Sequence, residues 1–248
     1  MLLANKNAVI TGANRGIGKA IAEVYASQGA NIWACTRNPE NDGFKAFIQL
    51  LCEKYQIWIE PISLDLTGEA SVADAAKAIT RKKMPIDIIV NNAGIIDTAL
   101  FAMTPIRSMR SLFEVNFFSQ MAFTQKLVRV MIKQKSGSII NLSSSAAIEG
   151  NEGRLSYAAS KSALLTASKV MSRELGPHNI RVNTLAPGLT ETDMMRDSHP
   201  EDVIARALER ISLQRVAGPQ EIANAALFLG SDLASYITGH VLSVDGGM

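Results

Sequence analysis

The chain has 248 residues, of which 47% are hydrophobic and 19% charged, and its net charge is +2. This composition supports a substantial core, excludes a disordered chain and gives no reason to expect a nucleic-acid partner. Cys35 and Cys52 are too few for a disulfide framework, and no Cys/His cluster predicts a metal. Without a signal peptide or an apolar run of 18 residues, we expect a cytoplasmic protein with no membrane partner.

A glycine-rich turn connects the first predicted strand, Asn7–Ile10, to a helix at Lys19–Gln28. Gly12 permits a tight bend, Gly16 lets backbone N–H groups approach a phosphate, and Gly18 lets the helix pack closely on the sheet. The spacing G-x-x-x-G-x-G differs from the G-x-G-x-x-G dinucleotide fingerprint. Such a turn can be purely structural, but its place between a first strand and a first helix favours a nucleotide site.

The second predicted strand, residues 32–36, ends at Arg37. In dinucleotide-binding units the residue that closes this strand meets the adenine ribose, where a carboxylate suits the 2′-OH of NAD and an arginine suits a 2′-phosphate. Thr36 and Arg37 supply no carboxylate, and Arg15 in the glycine turn can reach the same place. The alternative is two merely exposed arginines. Their convergence on one predicted site favours NADP.

Two further strands are predicted at residues 56–64 and 86–90, after a helix at about 43–55. Asp65 and Leu66 follow the first of them, and the carboxylate can either accept from an adenine amino group or end the strand before a helix at 69–80. The second strand runs into Asn91-Asn92-Ala93-Gly94. Small and amide residues after a parallel strand line the crevice in which such sheets bind ligands.

A tyrosine and a lysine four residues apart are the clearest candidates for chemistry. Tyr157 and Lys161 lie one turn apart on the same face of a helix that is predicted to end at Leu175. A nearby ammonium favours the phenolate, so the pair can pass a proton near neutral pH. Ser144 follows the fifth predicted strand, residues 138–142, and can donate to a carbonyl oxygen. A Tyr/Lys pair at this spacing more often only packs, so the rest of the chain has to support the chemistry.

Asn116 lies near the middle of a long predicted helix, Ser108–Gln134. An asparagine there is mildly unfavourable and often faces solvent. Its neighbours Val115, Phe117 and Phe118 are apolar, so we expect that a buried Asn116 would need a partner.

The last third of the chain continues the alternation of strands and helices. A sixth strand at 180–185 is broken by Pro187-Gly188, and the polar, methionine-containing segment 189–201, with Thr190 and Thr192, predicts a mobile flap over a ligand. Helices at 201–211 and 219–229 precede a seventh strand at 240–244. Residues 1–248 therefore predict a single doubly wound α/β domain, with a seven-stranded parallel sheet and helices on both faces.

Taken together, these motifs resemble the short-chain dehydrogenase/reductase family over essentially the whole chain, with its Rossmann fold. The motifs that carry the resemblance are the turn at 11–18, residues 91–94, Asn116, Ser144, Tyr157-Ala158-Ala159-Ser160-Lys161 and Pro187-Gly188.

The resemblance implies a role for each catalytic candidate. Tyr157 would donate a proton to a substrate carbonyl, and Lys161 would lower the pKa of the phenol and hold the nicotinamide ribose. Ser144 would orient the carbonyl, and Asn116 would hold a water that refills the proton relay. The residues expected to bind the cofactor are Gly12, Asn14, Arg15, Gly16, Ile17, Gly18, Arg37, Asp65, Leu66, Asn92, Ala93, Gly94, Tyr157, Lys161, Pro187, Gly188, Thr190 and Thr192.

Within the family, the chain is most similar to the 3-oxoacyl-acyl carrier protein reductases of bacterial fatty acid synthesis. The stretches 186–194, 220–224 and 236–240 and the ending at Met248 carry this resemblance. It implies NADPH, a substrate linked to acyl carrier protein, and a homotetramer formed through two long helices and the last strand. It also implies that an acidic carrier protein docks on Lys133 and Lys135, with Arg129 on the same helix.

Two other functions compete with this one. The first is an NAD(P)-dependent oxidoreductase of the same family that acts on a free alcohol, sugar or ketone; Arg154, Ser156 and the flap should decide between substrates. The second is a nucleotide sensor that kept the fold, against which the complete set of Asn116, Ser144, Tyr157 and Lys161 argues.

Overall fold

The structure, a computed structural model, describes residues 1–198 and 201–248. Seven parallel strands form one sheet: β1 (Asn7–Thr11), β2 (Asn31–Thr36), β3 (Ile59–Ser63), β4 (Ile88–Asn91), β5 (Gly137–Leu142), β6 (Ile180–Pro187) and β7 (Val241–Val244). Their order is β3-β2-β1-β4-β5-β6-β7. The predicted doubly wound, seven-stranded fold is confirmed.

The helices alternate with the strands along the chain. They are α1 (Gly16–Ser27), α2 (Asp42–Tyr55), α3 (Glu69–Arg81), α4 (Ile106–Phe113), α5 (Ser119–Gln134), α6 (Ala146–Glu149), α7 (Leu155–Leu175), α8 (Asp193–Ser198), α9 (Glu201–Arg210) and α10 (Pro219–Gly230). Helices α1, α2 and α10 cover one face of the sheet, while α3 and α5 pack on the other with the end of α7. Each face therefore has its own hydrophobic core.

The central strands are apolar on both sides because both faces are covered. In β1, Ala8 and Ile10 belong to the core beneath α1, whereas Val9 belongs to the core beneath α5. A strand that is buried on both faces has a continuous apolar sequence, and this pattern made the strand predictable.

The long predicted helix around Asn116 is interrupted. It starts at Ile106, two residues before the predicted start, and a π-helical turn at Glu114–Phe118 separates α4 from α5. Single π turns often occur at functional sites, because the extra residue redirects the side chains of that turn. The turn carries Asn116 into the buried interior.

The predicted flap contains more structure than its polar sequence indicated. Thr190 forms an isolated bridge with Ala217, and residues 193–198 form α8. His199 and Pro200, which the flap prediction included, lie outside the described residues.

The order of the strands fixes where a ligand can bind. The sheet is built outward from β1 in one direction through β2 and β3, and in the other through β4 to β7. Ligands of such sheets bind at the carboxyl ends of the strands where the order reverses, which here is between β1 and β4.

Within the described part of the chain, no helix has both the length and the apolar character needed to cross a membrane.

Candidate active site

A cleft of about 1310 Å³ opens at the carboxyl ends of the strands. The predicted residues that line it are Gly12, Asn14, Arg15, Gly16, Ile17, Arg37, Asp65, Leu66, Asn92, Ala93, Gly94, Ser144, Tyr157, Lys161, Pro187, Gly188, Thr190 and Thr192. Gly18 and Asn116 are not part of the lining and support it from behind. The structure thus brings candidates from seven separate stretches of the sequence to one cleft.

The glycine turn forms the first wall of the cleft. Gly12 and Gly16 have φ angles of +69° and +53°, a conformation that favours glycine. Helix α1 begins at Gly16 after Arg15, and no side chain among the described residues caps its N-terminus. The first N–H groups of α1 are therefore available to an anion, and the helix dipole favours one there. This arrangement fits the pyrophosphate of a dinucleotide.

Close packing behind the turn accounts for Gly18 and Asn92. A Cβ atom on Gly18 would lie 2.1 Å from the carbonyl oxygen of Gly12, so a larger residue cannot be accommodated. The Asn92 amide donates to the carbonyl oxygen of Thr11 at 2.9 Å, and the Thr11 hydroxyl accepts from the backbone N–H of Asn92 and of Ala93. These bonds hold the ends of β1 and β4 together beneath the ligand position.

The end of the cleft beyond β2 carries the residues expected to bind adenosine. Arg15 and Arg37 both line the cleft and are exposed, so their guanidinium groups are available to a phosphate. Hydrogen bonds from the backbone and hydroxyl of Thr67 hold the pKa of Asp65 below its ordinary value, with a smaller contribution from Arg37. The Asp65 carboxylate is thus charged at neutral pH, and its bonds to Thr67 stabilise the turn that follows β3. Leu66 is buried and adds an apolar surface for a base.

At the other end of the cleft, two glycines allow the wall to pack closely against the residues behind it. A Cβ atom on Gly94 would lie 3.1 Å from Asn116 Oδ1 and 3.3 Å from Lys161 Nζ. A Cβ atom on Gly188 would lie 2.7 Å from Cα of Asp245. A Cβ atom would press on side chains behind Gly94 and on the backbone of Asp245 behind Gly188, so glycine lets the chain pack closely where β4 and β6 end.

Ser144 and Tyr157 are brought together by the loop after β5 and the first turn of α7. The Ser144 hydroxyl accepts from the backbone N–H of Ala146 at 3.2 Å. Burial raises the pKa of Tyr157, while the interaction with the Ser144 hydroxyl and the charge of Arg154 act in the opposite direction. Both hydroxyls face the cleft and can act on one oxygen atom.

Lys161 lies one turn further along α7 and is buried. Its ammonium donates to the carbonyl oxygen of Leu142 at 2.7 Å and stands 6.0 Å from the centroid of the Tyr157 ring. Burial lowers the pKa of Lys161 to about 8. The hydroxyl of Ser143 donates to the Lys161 backbone carbonyl and fixes this turn of α7 against β5. The expected lowering of the phenol pKa by this ammonium stays a prediction.

Asn116 is fully buried and has the partners that an interior amide needs. Its Nδ2 donates to the carbonyl oxygen of Ile95 and to Ser160 Oγ, and its Oδ1 accepts from the N–H of Ile95. Both amide hydrogens are engaged, so this side chain can contact a water only through the second lone pair of Oδ1. That oxygen and Lys161 Nζ lie 3.1 Å and 3.3 Å from the position that a Cβ atom on Gly94 would take, and the water expected at Asn116 stays a prediction.

Comparison with known proteins identifies the family. The family model described as enoyl-(acyl carrier protein) reductase matches residues 12–248. The 3-oxoacyl-[acyl-carrier-protein] reductase FabG of Chlamydia trachomatis is 41% identical over 247 residues, which cover 100% of this chain and 98% of that protein. The chain belongs to the short-chain dehydrogenase/reductase family. Its predicted membership is confirmed.

Solved structures show the same fold in other short-chain dehydrogenases/reductases. A protein described as an NAD(P)-dependent gluconate 5-dehydrogenase from Beutenbergia cavernae, solved with NADP at low occupancy, is 33% identical and superposes with a TM-score of 0.92, covering 99% of this chain and 97% of that one. A 7α-hydroxysteroid dehydrogenase in complex with NADH and 7-oxoglycochenodeoxycholic acid is 35% identical with a TM-score of 0.92, covering 99% and 94%.

Apart from the predicted flap, the apolar side of the cleft in this short-chain dehydrogenase/reductase was missed from the sequence. Its apolar lining comes from the loop after β4, from α8 and α9, and from the C-terminal residue: Ile95, Ile96, Ala99, Leu100, Met103, Met194, Met195, Val203, Ala207 and Met248. The loop has no periodicity, so nothing local marked it. The amphipathic pattern of α9 predicted a helix but not the surface against which it packs.

A buried chain of polar side chains below the cleft was also missed. The Asn91 amide donates to Thr124 Oγ1 and Asn141 Oδ1, and the Asn141 amide donates to Ser168 Oγ, all between 2.7 and 2.8 Å. It joins α5, β4, β5 and α7 below the reaction centre. Polar residues within two apolar strands were the available signal, because buried amides need partners.

Proposed function

We propose that this chain is an NADPH-dependent reductase of 3-oxoacyl-acyl carrier protein, which converts the keto group to a 3-hydroxyl group in fatty acid synthesis. The observation that carries the proposal is the meeting of Ser144 and Tyr157 in one cleft, with Lys161 one turn further along α7, in the cleft that begins at the glycine turn. Full-length identity of 41% to a reductase of that name supports the choice of substrate.

The residues of the chain divide the work of the reaction. When bound, the nicotinamide cofactor supplies the hydride. Ser144 holds the substrate carbonyl oxygen, and Tyr157 donates the proton that this oxygen needs as it becomes an alcohol. Lys161 binds the ribose hydroxyls and favours the phenolate left behind. The turn at Gly12 and Gly16 fixes the pyrophosphate, which aligns the reacting carbon atoms.

NADP is the proposed cofactor because two cations stand where the 2′-phosphate of the adenine ribose would lie. Arg15 and Arg37 both line that end of the cleft. A guanidinium pairs well with phosphate, and the residues that close β2, Thr36 and Arg37, offer no carboxylate to repel it.

A direct assay tests the function. NADPH consumption is measured with acetoacetyl-acyl carrier protein, with a small acetoacetyl thioester, and with a panel of free ketones, sugars and alcohols. We expect the highest kcat/KM with the carrier-linked substrate. A clear preference for a free ketone, sugar or steroid would favour the second candidate, an NAD(P)-dependent oxidoreductase on small substrates, which the two solved structures support. No turnover of any carbonyl, with cofactor binding retained, would favour a nucleotide sensor.

We also propose a homotetramer in the cytoplasm, where bacterial fatty acid synthesis takes place. Two surfaces of this subunit suit contact with other copies. Phe118 is 55% exposed where the π turn meets α5, and β7 forms an edge of the sheet close to the fully exposed Tyr236. Apolar patches and open edge strands are commonly covered by partners. Light scattering of the purified protein tests the assembly.

The location of Lys133 and Lys135 ties docking of the carrier protein to this assembly. Both residues are exposed at the C-terminal end of α5, where Gln134 pairs with the backbone of Ile86 just before β4. This is the amino end of the sheet, about 20 Å from the level of the cleft. The expected landing patch is therefore remote from the cleft of its own chain. Antiparallel pairing of α5 helices about a two-fold axis would bring the patch near the cleft of a neighbouring subunit.

A charge reversal tests this docking. Lys133→Glu combined with Lys135→Glu should raise KM for acyl-carrier substrates severalfold, because acidic partners are steered by basic patches, and the effect should fade at high salt. KM for a small thioester should not change. Equal effects on both substrates, or none on either, would contradict docking at this patch.

A further inference from the structure

A buried arginine joins the parts of the cleft wall that surround Tyr157. Arg154 is only 7% exposed and lines the cleft. Its guanidinium donates to Thr98 Oγ1 at 2.6 Å and to the carbonyl oxygen of Asp97 at 3.3 Å, both in the loop after β4. It also donates to the carbonyl oxygen of Ser198 at 2.9 Å, at the end of α8.

The contacts of the backbone place this arginine at the root of α7. The Arg154 carbonyl accepts from the N–H of Ala158 at 2.7 Å, so it belongs to the first turn of the helix that presents Tyr157. The N–H of Ala99 donates to the carbonyl oxygen of Gly153 at 3.0 Å, which adds a main-chain tie between the same loop and the same turn. One side chain thus connects three segments that are far apart in the sequence.

We propose that Arg154 is a positioning residue that holds the loop after β4 and the end of α8 against the start of α7, and that keeps a fixed positive charge beside the phenol of Tyr157. The proposal rests on the proposed role of Tyr157 as the proton donor. The planar, forked guanidinium suits this task, because it can donate in several directions at once. Glutamine lacks the positive charge of the guanidinium, and lysine lacks its forked shape.

The charge of Arg154 acts on the ionisation of the phenol from a different side than Lys161. Burial raises the pKa of Tyr157, and the Arg154 charge lowers it. Lys161 faces the ring from the next turn of α7, Ser144 faces it from the loop after β5 with a neutral hydroxyl, and Asp97 acts on Arg154 from the loop after β4. The other charged residues that line this half of the cleft are Glu152, Asp193, Arg206 and Arg210.

Two substitutions separate the two parts of the proposal. Arg154→Gln removes the charge, whereas Arg154→Lys keeps it and loses the fork. In the reductive direction activity is lost at high pH as Tyr157 ionises. This loss forms the alkaline limb of the profile of activity against pH. For Arg154→Gln, the limb should move to higher pH by roughly half a unit or more. For Arg154→Lys, the limb should stay in place. Both variants should raise KM for the carbonyl substrate about tenfold and leave NADPH affinity unchanged.

A matched control removes an arginine charge outside the cleft. Arg81 is exposed at the end of α3 and does not line the cleft, so Arg81→Gln should move neither the limb nor KM. An unmoved alkaline limb in Arg154→Gln overturns the charge role, and an unchanged KM in both Arg154 variants overturns the role in fixing the walls. If the glutamine variant does not fold, KM of Arg154→Lys decides the role in fixing the walls, and Arg154→Met, which also removes the charge, takes the place of Arg154→Gln in the test of the alkaline limb.

A readout without turnover distinguishes failure of this proposal from failure of the proposed function. Tyrosinate absorbance of the protein, corrected by that of Tyr157→Phe, reports the ionisation of Tyr157 in a chain with three other tyrosines. Arg154→Gln should shift this titration to higher pH even if no tested carbonyl is reduced. An identical titration in Arg154→Gln and the unaltered protein overturns the charge role directly.

Discussion

The two halves of the cleft are built in different ways. The cofactor half uses main-chain turns: Gly12 and Gly16 adopt positive φ angles, and the N–H groups that open α1 point to the ligand position. The substrate half uses side chains from segments far apart in the sequence, such as Leu100, Arg154 and Val203. One half depends on short local motifs, and the other depends on how distant segments pack.

This difference explains how one fold serves many substrates. The glycine turn tolerates little change, since a Cβ on Gly18 would lie 2.1 Å from the Gly12 carbonyl oxygen. Loops and helix faces on the substrate side can change without disturbing that turn. Variants in one half should therefore leave the other half intact, and variants at the boundary should separate binding from chemistry.

The largest effect is expected at Tyr157, at the boundary between the cofactor half and the substrate half of the cleft. Tyr157→Phe removes the hydroxyl that interacts with Ser144 and would donate the proton. Turnover of an acetoacetyl thioester should fall by about 10³-fold, within the usual range for loss of a general acid. NADPH affinity, measured by fluorescence titration, should change less than about twofold, because uniform binding in the cofactor half is retained. A comparable loss of affinity would mean that the phenyl ring alone cannot maintain the boundary between the halves.

Replacing Lys161 gives the next largest effect, which is a change in how the stability of the fold depends on pH. Burial lowers the pKa of Lys161 to about 8 in the folded chain, against about 10.4 when unfolded. The folded chain therefore bears the full penalty of a buried ammonium below about pH 8, and this penalty disappears as the pH rises through about 10.4. The free energy of unfolding of Lys161→Met minus that of the unaltered chain should fall by roughly 3 kcal/mol over this window.

Urea unfolding of both chains without cofactor, at pH 7.5, 9 and 10.5, measures this difference. Lost contacts of the lysine, such as the hydrogen bond to Leu142, shift all three values together and leave the slope unchanged. A slope of zero would mean that Lys161 remains fully protonated in the fold up to its ordinary pKa.

Arg37 tests the cofactor half alone. Arg37→Ala should weaken NADPH binding about 10- to 100-fold and NADH binding only slightly, because the 2′-phosphate loses a charge-assisted partner. KM for the carbonyl substrate, measured at saturating cofactor, should not change. Arg81→Ala is a suitable control, since Arg81 is exposed at the end of α3 and does not line the cleft. Similar losses for NADPH and NADH would remove the 2′-phosphate role.

The same division decides what could be predicted from the sequence. The seven strands, the glycine turn and the Tyr157–Lys161 helix are local patterns of apolar runs, glycines and four-residue spacing, and the structure has each within about three residues of its predicted bounds. The π turn at Asn116 and the helix at 193–198 were missed because tertiary contacts decide them. Asn116 is held by Ile95 and Ser160, which come from other segments.

The place of the proposed docking patch in the fold could not be predicted for a related reason. Lys133 and Lys135 are easily recognised as a basic pair, but a charge in the sequence does not reveal which end of the sheet it occupies. The pairing of Gln134 with Ile86 sets that end, and it is a contact across 48 residues. The place of a charged residue along its helix therefore matters as much for docking as the face of the helix on which it lies.

The substrate half provides the smallest and most selective effect. Leu100 lines the cleft and is 53% exposed, so part of its surface is available to an acyl chain. Leu100→Ser should raise KM by about threefold for a long-chain 3-oxoacyl thioester, since a partly buried leucine contributes on the order of 1 kcal/mol, and it should hardly affect acetoacetyl substrates. Leu50→Ser is the matched control, because Leu50 is 60% exposed on α2 and does not line the cleft. A penalty that is independent of chain length would show that Leu100 shapes the loop after β4 rather than contacting the acyl chain.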